Sequence, residues 1–369
     1  MHEVADLSSE VERQLQVLRQ GTVEIIEEQQ LRARLTRSLR EGRPLRVKLG
    51  MDPSAPDVHL GHAVVLRKLR QFQDLGHEVD LVIGDFTARV GDPTGRKATR
   101  PALTPEQVRA NARTYTDQVF RILQPQRTRV VYQEWFDEMG FDQILRLAAT
   151  YTVARMLERE DFRTRLAAGH PISLHELFYP LMQAYDSVAL RSDIELGGTD
   201  QKFNLLVARD VQREYGQEPE IALLMPLLVG TDGVEKMSKS LGNYIGLTDA
   251  PGEMYGKTMS ITDALIVPYL ELLTDTPAAE VDRVREAMAG GSLNPRDAKM
   301  MLARRLVTLY HGAEAAEEAE ARFVQVFQRR ELPEDMPEVR LDGGGMAPGG
   351  VGVVDLLVQA GLVASRSEA

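Results

Sequence analysis

Residues 46–83 read RVKLGMDPSAPDVHLGHAVVLRKLRQFQDLGHEVDLVI, and the predicted fold class follows from the pattern of this segment. Its two ends, 46–50 and 78–83, have the composition of short strands, and the second is strongly apolar. Between them, residues 61–75 carry apolar side chains near one face of a helix. Strand, helix and strand at this short spacing predict a parallel, right-handed β-α-β unit.

A ligand crevice is expected beyond the carboxyl ends of these two strands, because that is where open parallel sheets bind their ligands. Residues 51–62 and 84–100 lie there, and the second segment is rich in glycine and threonine. Asp92, in the run Gly91-Asp92-Pro93-Thr94-Gly95, is a candidate for holding an amino group. By itself the run is an ordinary turn sequence.

The tetrapeptide His59-Leu60-Gly61-His62 stands at the start of the predicted helix. Free backbone N–H groups and the helix dipole make such a position suitable for a phosphate group. Taken alone, the two histidines are more often capping or surface residues than a catalytic pair. A metal site is a poor alternative, since no third ligand has suggestive spacing, and no resident metal is predicted.

The pentapeptide Lys236-Met237-Ser238-Lys239-Ser240, far downstream, changes that balance. A short loop with two lysines can place two ammonium groups along the same triphosphate. Negative charge spreads over the phosphoryl oxygens when a nucleotide reacts at its α-phosphate, and both motifs suit that chemistry. Together they favour a site that binds and activates ATP.

Two further groups of residues have the pattern of a small-molecule pocket. Tyr179, Gln183 and Asp186 share one face of a helix that follows a capping-box sequence at Ser173. The alternative interpretation is a polar stripe turned to water. Gly197-Gly198-Thr199-Asp200 comes at a strand-to-helix junction, where an acid can accept hydrogen bonds from ribose hydroxyls. Asp200 as a simple N-cap is the alternative.

Composition bounds the class of protein. The 369 residues are 43% hydrophobic and 27% charged, as in an ordinary globular chain of two or more domains. The net charge of −11 argues against a protein that coats nucleic acid indiscriminately. No cysteine is present, so disulfides and thiolate metal sites are excluded. With no apolar run of membrane-span length and no signal-peptide core, a cytoplasmic location is expected.

With both signature motifs in order, the chain resembles the bacterial tyrosyl-tRNA synthetases of class I from about residue 45 to 255. The resemblance implies ATP-dependent activation of tyrosine to tyrosyl-adenylate, with Mg²⁺, and transfer to the terminal adenosine of tRNA. It implies catalytic roles for His59, His62, Lys236 and Lys239. The tyrosine-binding residues it implies are Asp52, Asp92, Tyr179, Gln183, Asp186 and Gln201. The ATP-binding residues it implies are Gly50, Ser54, His59, Gly61, His62, Gly198, Asp200, Lys236, Ser238 and Lys239.

The resemblance also implies the fold class, an α/β, Rossmann-like catalytic domain followed by an α-helical domain and a truncated RNA-binding segment. We expect a homodimer whose interface lies in a helical insertion, and that insertion also receives the acceptor end of tRNA. The expected divisions are a helical arm (1–42), a catalytic domain (43–248) with its insertion (about 101–172), an anticodon-side helical domain (249–331), a linker (332–350) and the start of an RNA-binding domain (351–369).

Two positions depart from the family's common pattern. Lys48 stands where many members have tyrosine, and Glu195 stands where many have glutamine. One hypothesis is that Lys48 pairs with Asp85 at the end of the neighbouring strand and rebuilds the pocket wall.

Three alternatives stay open at this point. Tryptophanyl-tRNA synthetases share the fold and often have a Tyr-Pro step like Tyr179-Pro180, but Gln183 and Asp186 favour tyrosine. Small nucleotidyltransferases share the His-x-Gly-His turn but lack the lysine loop. An RNA-binding paralogue without synthetase activity is the alternative from another class.

Overall fold

A computed structural model describes residues 2–53, 57–93, 104–328 and 352–369. It divides into two compact units, Met1–Glu320 and Ala321–Ala369. Among the described residues of the second unit, the one complete α-helix is Val353–Gln359, numbered α16. Everything that concerns the predicted site lies in the first unit.

The first unit is built on a mixed sheet. Its strands are β1 (Glu24–Ile26), β2 (Arg46–Met51), β3 (Glu78–Ile83), β4 (Thr128–Tyr132), β5 (Ile194–Gly198) and β6 (Ile221–Met225). They lie in the order β1-β6-β5-β2-β3-β4. All neighbouring pairs are parallel except β1 with β6. The parallel β-α-β unit predicted from the sequence is therefore confirmed, while β1, inside the predicted helical arm, was not anticipated.

Helices surround this sheet and continue beyond it. Those of the first half are α1 (His2–Arg19), α2 (Glu28–Glu41), α3 (Leu60–Asp74), α4 (Thr87–Val90), α5 (Pro105–Val119), α6 (Phe141–Ala148), α7 (Val153–Met156) and α8 (Glu160–Ala167). Those of the second half are α9 (Leu174–Leu190), α10 (Lys202–Glu214), α11 (Pro251–Ser260), α12 (Ile266–Leu273), α13 (Ala278–Ala289), α14 (Pro295–His311) and α15 (Ala313–Phe323). Within the described ranges, no helix is long and apolar enough to cross a membrane.

Local sequence signals explain where the helices next to the site begin. Thr104 caps α5, and the Gln107 side chain bonds back to the backbone of Thr104. Glu176 accepts from the backbone N–H of Ser173 at 2.9 Å at the start of α9. The buried Arg165 guanidinium also binds Glu176, which ties α8 to α9. These contacts fix the direction in which α9 runs toward the sheet.

The helix α9 is the element that carries the polar face predicted from the sequence. One side packs in an apolar cluster with α10, through residues such as Leu181, Ala184 and Val207. Tyr179 and Asp186 are also buried, because they point toward the sheet rather than toward water. The interpretation of Tyr179, Gln183 and Asp186 as a solvated stripe is therefore excluded.

Candidate active site

A cavity of about 520 Å³ opens at the carboxyl ends of β2, β3 and β5. It brings together every site residue predicted from the sequence that the structure describes. Ser54 lies outside the described residues. The predicted residues that line the cavity are Gly50, Asp52, His59, Gly61, His62, Asp92, Tyr179, Gln183, Asp186, Gly198, Asp200, Gln201, Lys236, Ser238 and Lys239.

Asp186 forms the closed end of this cavity. It is 3% exposed and accepts hydrogen bonds from Gln133 Nε2, at 2.8 and 3.1 Å, and from Trp135 Nε1, at 3.2 Å. Burial raises the pKa of Asp186 to about 8, and the charge of Lys48 and the Gln133 hydrogen bond oppose that rise. A hydroxyl group on a ligand can therefore form a hydrogen bond with a carboxyl group that Gln133 and Trp135 already hold in place.

Gln133 holds Asp186 in a defined orientation. Its side-chain oxygen accepts from the backbone N–H groups of Phe86, at 3.1 Å, and Thr87, at 3.0 Å. The amide nitrogen must then point toward Asp186, since an amide carries its acceptor and its donors at opposite ends. Gln133 and Trp135 were missed by sequence reasoning. Their position directly after β4, at the same edge of the sheet as Asp52, is the signal that could have found them.

A second set of contacts surrounds Asp52. Tyr179 Oη donates to one carboxylate oxygen at 2.8 Å, and Thr87 Oγ1 donates to the other at 2.7 Å. Gly84 leaves the necessary space, because a Cβ atom there would collide with both Asp52 and Thr87. Burial, followed by the charges of Asp52 and Asp92, raises the pKa of Tyr179 well above its ordinary value. Tyr179 is thus a neutral donor that orients Asp52.

Asp92 is held by two side chains from different elements. Gln201 Nε2 donates to Asp92 Oδ2 at 3.0 Å, and Arg159 Nη2 donates to Asp92 Oδ1 at 3.2 Å. The other end of the Arg159 guanidinium donates to Asn204 at 3.1 Å. Arg159 lies between α7 and α8 and is 5% exposed, and no sequence motif pointed to it. Asp52 and Asp92 together give this side of the cavity a negative potential suited to an ammonium group.

The hypothesis that Lys48 pairs with Asp85 is wrong. Lys48 Nζ lies 3.0 Å from Glu195 Oε1, on the other neighbouring strand. Asp85 instead accepts from the backbone N–H of Gln133 at 3.0 Å. The two positions at which the sequence departs from the family pattern are therefore one buried ion pair.

The two signature histidines form a stacked pair with 3.9 Å between ring centroids. His59 Nδ1 accepts from the backbone N–H of Gly61 at 3.1 Å, and His62 Nδ1 accepts from that of His59 at 3.3 Å. Burial lowers the pKa of His59 to about 2 and that of His62 to about 4. Both rings are consequently neutral at physiological pH. Since Nδ1 accepts in each, the ring proton resides on Nε2, which can donate to a ligand.

In the lysine loop, hydrogen bonds hold the backbone, whereas the two lysine side chains form ion pairs whose partners can be exchanged for a ligand. The backbone N–H of Met237 donates to Leu228 O at 2.7 Å, and that of Ser238 donates to Asn243 Oδ1 at 2.8 Å. Lys236 Nζ lies 3.0 Å from Asp200 Oδ2, and Lys239 pairs with Asp57. Asp57 also lines the cavity and was missed by sequence reasoning.

The sequence of this chain is similar to that of one family of known proteins. The family model described as class I tRNA synthetases (W and Y) matches residues 40–328. The tyrosine–tRNA ligase of Carboxydothermus hydrogenoformans is 57% identical over 98% of this chain and 88% of its own length. The tyrosine–tRNA ligase of Moorella thermoacetica is also 57% identical, over 98% of this chain and 87% of its own length.

Solved structures share the fold at low sequence identity. A C-terminally truncated mitochondrial tyrosyl-tRNA synthetase from Aspergillus nidulans superimposes with a TM-score of 0.69 at 23% identity, over 87% of this chain and 94% of that one. The tyrosyl-tRNA synthetase of Archaeoglobus fulgidus, in complex with L-tyrosine, gives 0.66 at 23% identity, over 84% and 99%.

Proposed function

The chain belongs to the class I tRNA synthetases of the tryptophan and tyrosine group, and from this premise we infer that it is a tyrosine–tRNA ligase. It activates tyrosine with ATP and transfers the amino acid to tRNA. Close identity to tyrosine–tRNA ligases over nearly the whole chain supports this function. In the site, the observation that carries it is Asp186, a buried carboxyl group at the closed end of the cavity.

For the amino acid, we propose that the phenolic hydroxyl donates to Asp186. The ammonium group would lie between Asp52 and Asp92, with Tyr179, Gln183 and Gln201 around the substrate's backbone atoms. Phenylalanine would leave the buried Asp186 without its partner, and an unmade buried hydrogen bond is costly. Tryptophan would have to fit its larger ring against the contacts that Gln133 makes with Asp186.

For ATP, the proposed contacts follow from the donors at the open end. His59 and His62 would donate from Nε2 to phosphate oxygens, beside the N-terminal amides of α3 and Gly61. Asp200 and Gly198 would hold the ribose, and Gly50 would lie against the nucleotide. Lys236, Lys239 and Ser238 would bind the pyrophosphate portion, together with the Mg²⁺ that accompanies ATP. The assignment of Ser54 to this set rests on the sequence alone.

The proposed reaction needs no covalent enzyme intermediate. The tyrosine carboxylate attacks the α-phosphate in line, and pyrophosphate leaves under the charge of the two lysines. The terminal adenosine of tRNA then attacks the mixed anhydride. To reach ATP, Lys236 and Lys239 must leave Asp200 and Asp57, which frees Asp200 for the ribose.

We also propose that the protein is a homodimer. Five large apolar side chains in or next to the helical insertion are between 55% and 78% exposed, and we propose that they contact the partner subunit. They are Phe141, Leu145, Val153, Leu166 and Leu174. Replacing Leu145 by Asp should give a monomer in sedimentation analysis, whereas Leu309→Asp on α14 should leave the mass unchanged. A dimeric Leu145→Asp variant would count against this interface.

The remaining assignments are extensions of the same proposal. The helical region 249–331 would approach the anticodon, residues 351–369 would belong to an RNA-binding segment, and the domain boundaries expected from the sequence are kept with them. A cytoplasmic location suits an enzyme that acts on tRNA.

The test is amino-acid-dependent exchange of pyrophosphate into ATP, without tRNA, with tyrosine, tryptophan and phenylalanine compared. Exchange with tyrosine alone, lost in Asp186→Ala, is the expected result. Exchange with tryptophan would mean that the closed end of the cavity has been misassigned. No exchange from folded protein that still binds tRNA would favour the paralogue without synthetase activity.

A further inference from the structure

Lys48 is a fully buried lysine beneath the amino-acid end of the cavity. It stands on β2, directly across from Glu195 on β5 in the register of the sheet. Its ammonium group lies 3.0 Å from Glu195 Oε1, donates to the backbone oxygen of Gln183 at 3.2 Å and donates to Ser187 Oγ. It does not line the cavity. Any effect it has on a ligand must therefore act through these neighbours.

The charges around Lys48 balance only if two of the three neighbouring carboxyl groups keep their protons. Glu195, Glu220 and Asp186 all lie near the single ammonium group. Burial lowers the pKa of Lys48, but these three carboxyl groups raise it above its ordinary value, so Lys48 is charged. Burial and the charge of Glu195 raise the pKa of Glu220 well above its usual range. We therefore describe the cluster at neutral pH as a Lys48–Glu195 ion pair beside a neutral Glu220 and a neutral Asp186, whose pKa is about 8.

Glu195 connects Lys48 to Gln183, a residue that lines the cavity. Its Oε1 atom, which faces Lys48, also accepts from Gln183 Nε2 at 3.0 Å. The Gln183 side-chain oxygen accepts from Asn204 at 3.0 Å, so both ends of this amide are fixed. Gln183 lines the cavity between Tyr179 and Asp186 on the same helix face. A shift of Glu195 would thus move a residue that faces the ligand.

We propose that Lys48 is a positioning residue for the amino-acid substrate: through Glu195 it fixes the amide of Gln183. This rests on the proposed function, in that tyrosine occupies this cavity. Removing the ammonium group leaves a buried carboxylate without a counter-ion, and such a loss is far more disruptive than removing both charges together.

The positive charge of Lys48, which lowers the pKa of Asp186, makes a separate prediction for pH. The groups that face Asp186 are Gln133 and Trp135 after β4, Lys48 on β2, Glu195 on β5, and Asp52 after β2. Lys48 is the one cation in this set. Without it, Asp186 should retain its proton to higher pH than the wild-type group does. The pH above which tyrosine binds tightly should therefore move upward in a variant that lacks the charge.

The experiment is a double-mutant cycle in pyrophosphate exchange with Lys48→Met, Glu195→Gln and the double variant. We expect Lys48→Met to raise KM for tyrosine ~10–100-fold with KM for ATP changed less than ~2-fold, and the double variant to recover roughly tenfold of that loss. The tyrosine KM of Lys48→Met should also fall with increasing pH over a window displaced above that of the wild type.

Lys68→Met is the matched control. Lys68 is also a buried lysine, but among the described residues its ammonium group donates to the backbone oxygens of Val17, Leu18 and Gln20, in and directly after α1. Its loss should lower thermal stability without changing KM for tyrosine. A role of Lys48 in folding alone would make the two variants behave alike, and that outcome contradicts the proposal.

Other outcomes are equally decisive. An unchanged tyrosine KM in folded Lys48→Met, equal changes for tyrosine and ATP, or strictly additive effects would overturn the proposal. If Lys48→Met does not fold, Glu195→Gln and the double variant still test it, because the proposal expects the double variant to bind tyrosine as well as the single one. Wild-type protein that fails to exchange with tyrosine would instead refute the proposed function itself.

Discussion

The two ends of the cavity are built in opposite ways. At the amino-acid end, Asp186 is 3% exposed, and the amide of Gln133 is locked on both sides by backbone donors and by Asp186 itself. At the ATP end, the Lys236 side chain is 50% exposed and paired with Asp200, which is itself expected to bind the ribose. One end recognises its ligand with contacts made in advance, whereas the other must exchange its contacts.

Free energy explains why the two ends differ. A buried polar group is costly to leave without a hydrogen-bond partner, so a carboxyl group that selects a hydroxyl must be held rigidly. Exposed ion pairs contribute only about 0–1 kcal/mol, so a lysine can leave one at little cost. The lysines can therefore move onto the phosphates during the reaction, while the selecting groups stay in place.

The largest effect should come from Asp186→Asn, which removes the selecting carboxyl group from the amino-acid end of the cavity. A site built to bind a hydroxyl rejects an analogue without it by about 10⁴–10⁵-fold, a magnitude measured on tyrosyl-tRNA synthetases themselves. The variant should lose most of this preference for tyrosine over phenylalanine, measured as the ratio of kcat/KM values in pyrophosphate exchange. KM for ATP should stay within ~2-fold, and a retained preference would mean that another group selects the hydroxyl.

The same substitution should make the protein more stable, with a defined pH dependence. The pKa of Asp186 is about 8 in the folded chain and near 3.8 when unfolded, so the folded state holds a proton that the unfolded state releases between these values. Wild-type stability therefore declines as pH rises through this window. The advantage of Asp186→Asn should grow from about pH 4 to pH 8, to the order of 1–3 kcal/mol. Guanidinium unfolding at pH 5 and pH 8 measures it, and an advantage that does not change with pH would contradict the buried titration.

The next effect tests the exchangeable end with Lys239→Ala. Removing one charge that stabilises the departing pyrophosphate should lower kcat for exchange by ~10²–10³-fold. KM for tyrosine should not change, because Lys239 contacts Asp57 and lies over the Tyr244 ring, away from the Asp186 contacts. A comparable rise in KM for tyrosine would show that the two ends are not independent.

The smallest effect should come from Asp57→Asn. Asp57 competes with the phosphates for Lys239, and the pair is partly exposed, so its removal should lower KM for ATP by at most ~5-fold. The difference between variant and wild type should shrink as salt is added, since salt weakens the wild-type pair. A higher KM in the variant would mean that Asp57 assists ATP binding instead.

Sequence patterns predicted the parts of the site that depend on local structure. The predicted strand 78–83 coincides with β3, and α3 begins at Leu60, immediately after the capping His59. Gln133, Trp135, Arg159 and Asp57 were missed because their roles depend on which element each one faces in the folded chain. For Arg159 and Asp57, nothing in the local pattern distinguishes the side chain from a surface residue, whereas Gln133 and Trp135 could have been found from their position directly after β4.

The partner of Lys48 was also impossible to predict from local sequence alone. It lies on β2, which has β3 on one side and β5 on the other. The neighbour that is close in sequence, β3, led to the incorrect pairing with Asp85, whereas the ion pair forms with β5. Strand order across a crossover is set by the packing of the whole sheet, so the partner of a central residue cannot be chosen from spacing.

The placement of β1 has a consequence for synthesis on the ribosome. Residues Glu24–Ile26 pair with residues 222–224. This edge of the sheet therefore cannot form until about 200 further residues have been translated. At roughly 5–20 residues per second, that delay is on the order of 10–40 s. During it, the strands β2, β3 and β4 can already associate, while β1 has no partner strand. Nascent chains arrested before residue 221 should therefore leave the amides of β1 open to hydrogen exchange, and protected amides in such chains would show that another segment covers them.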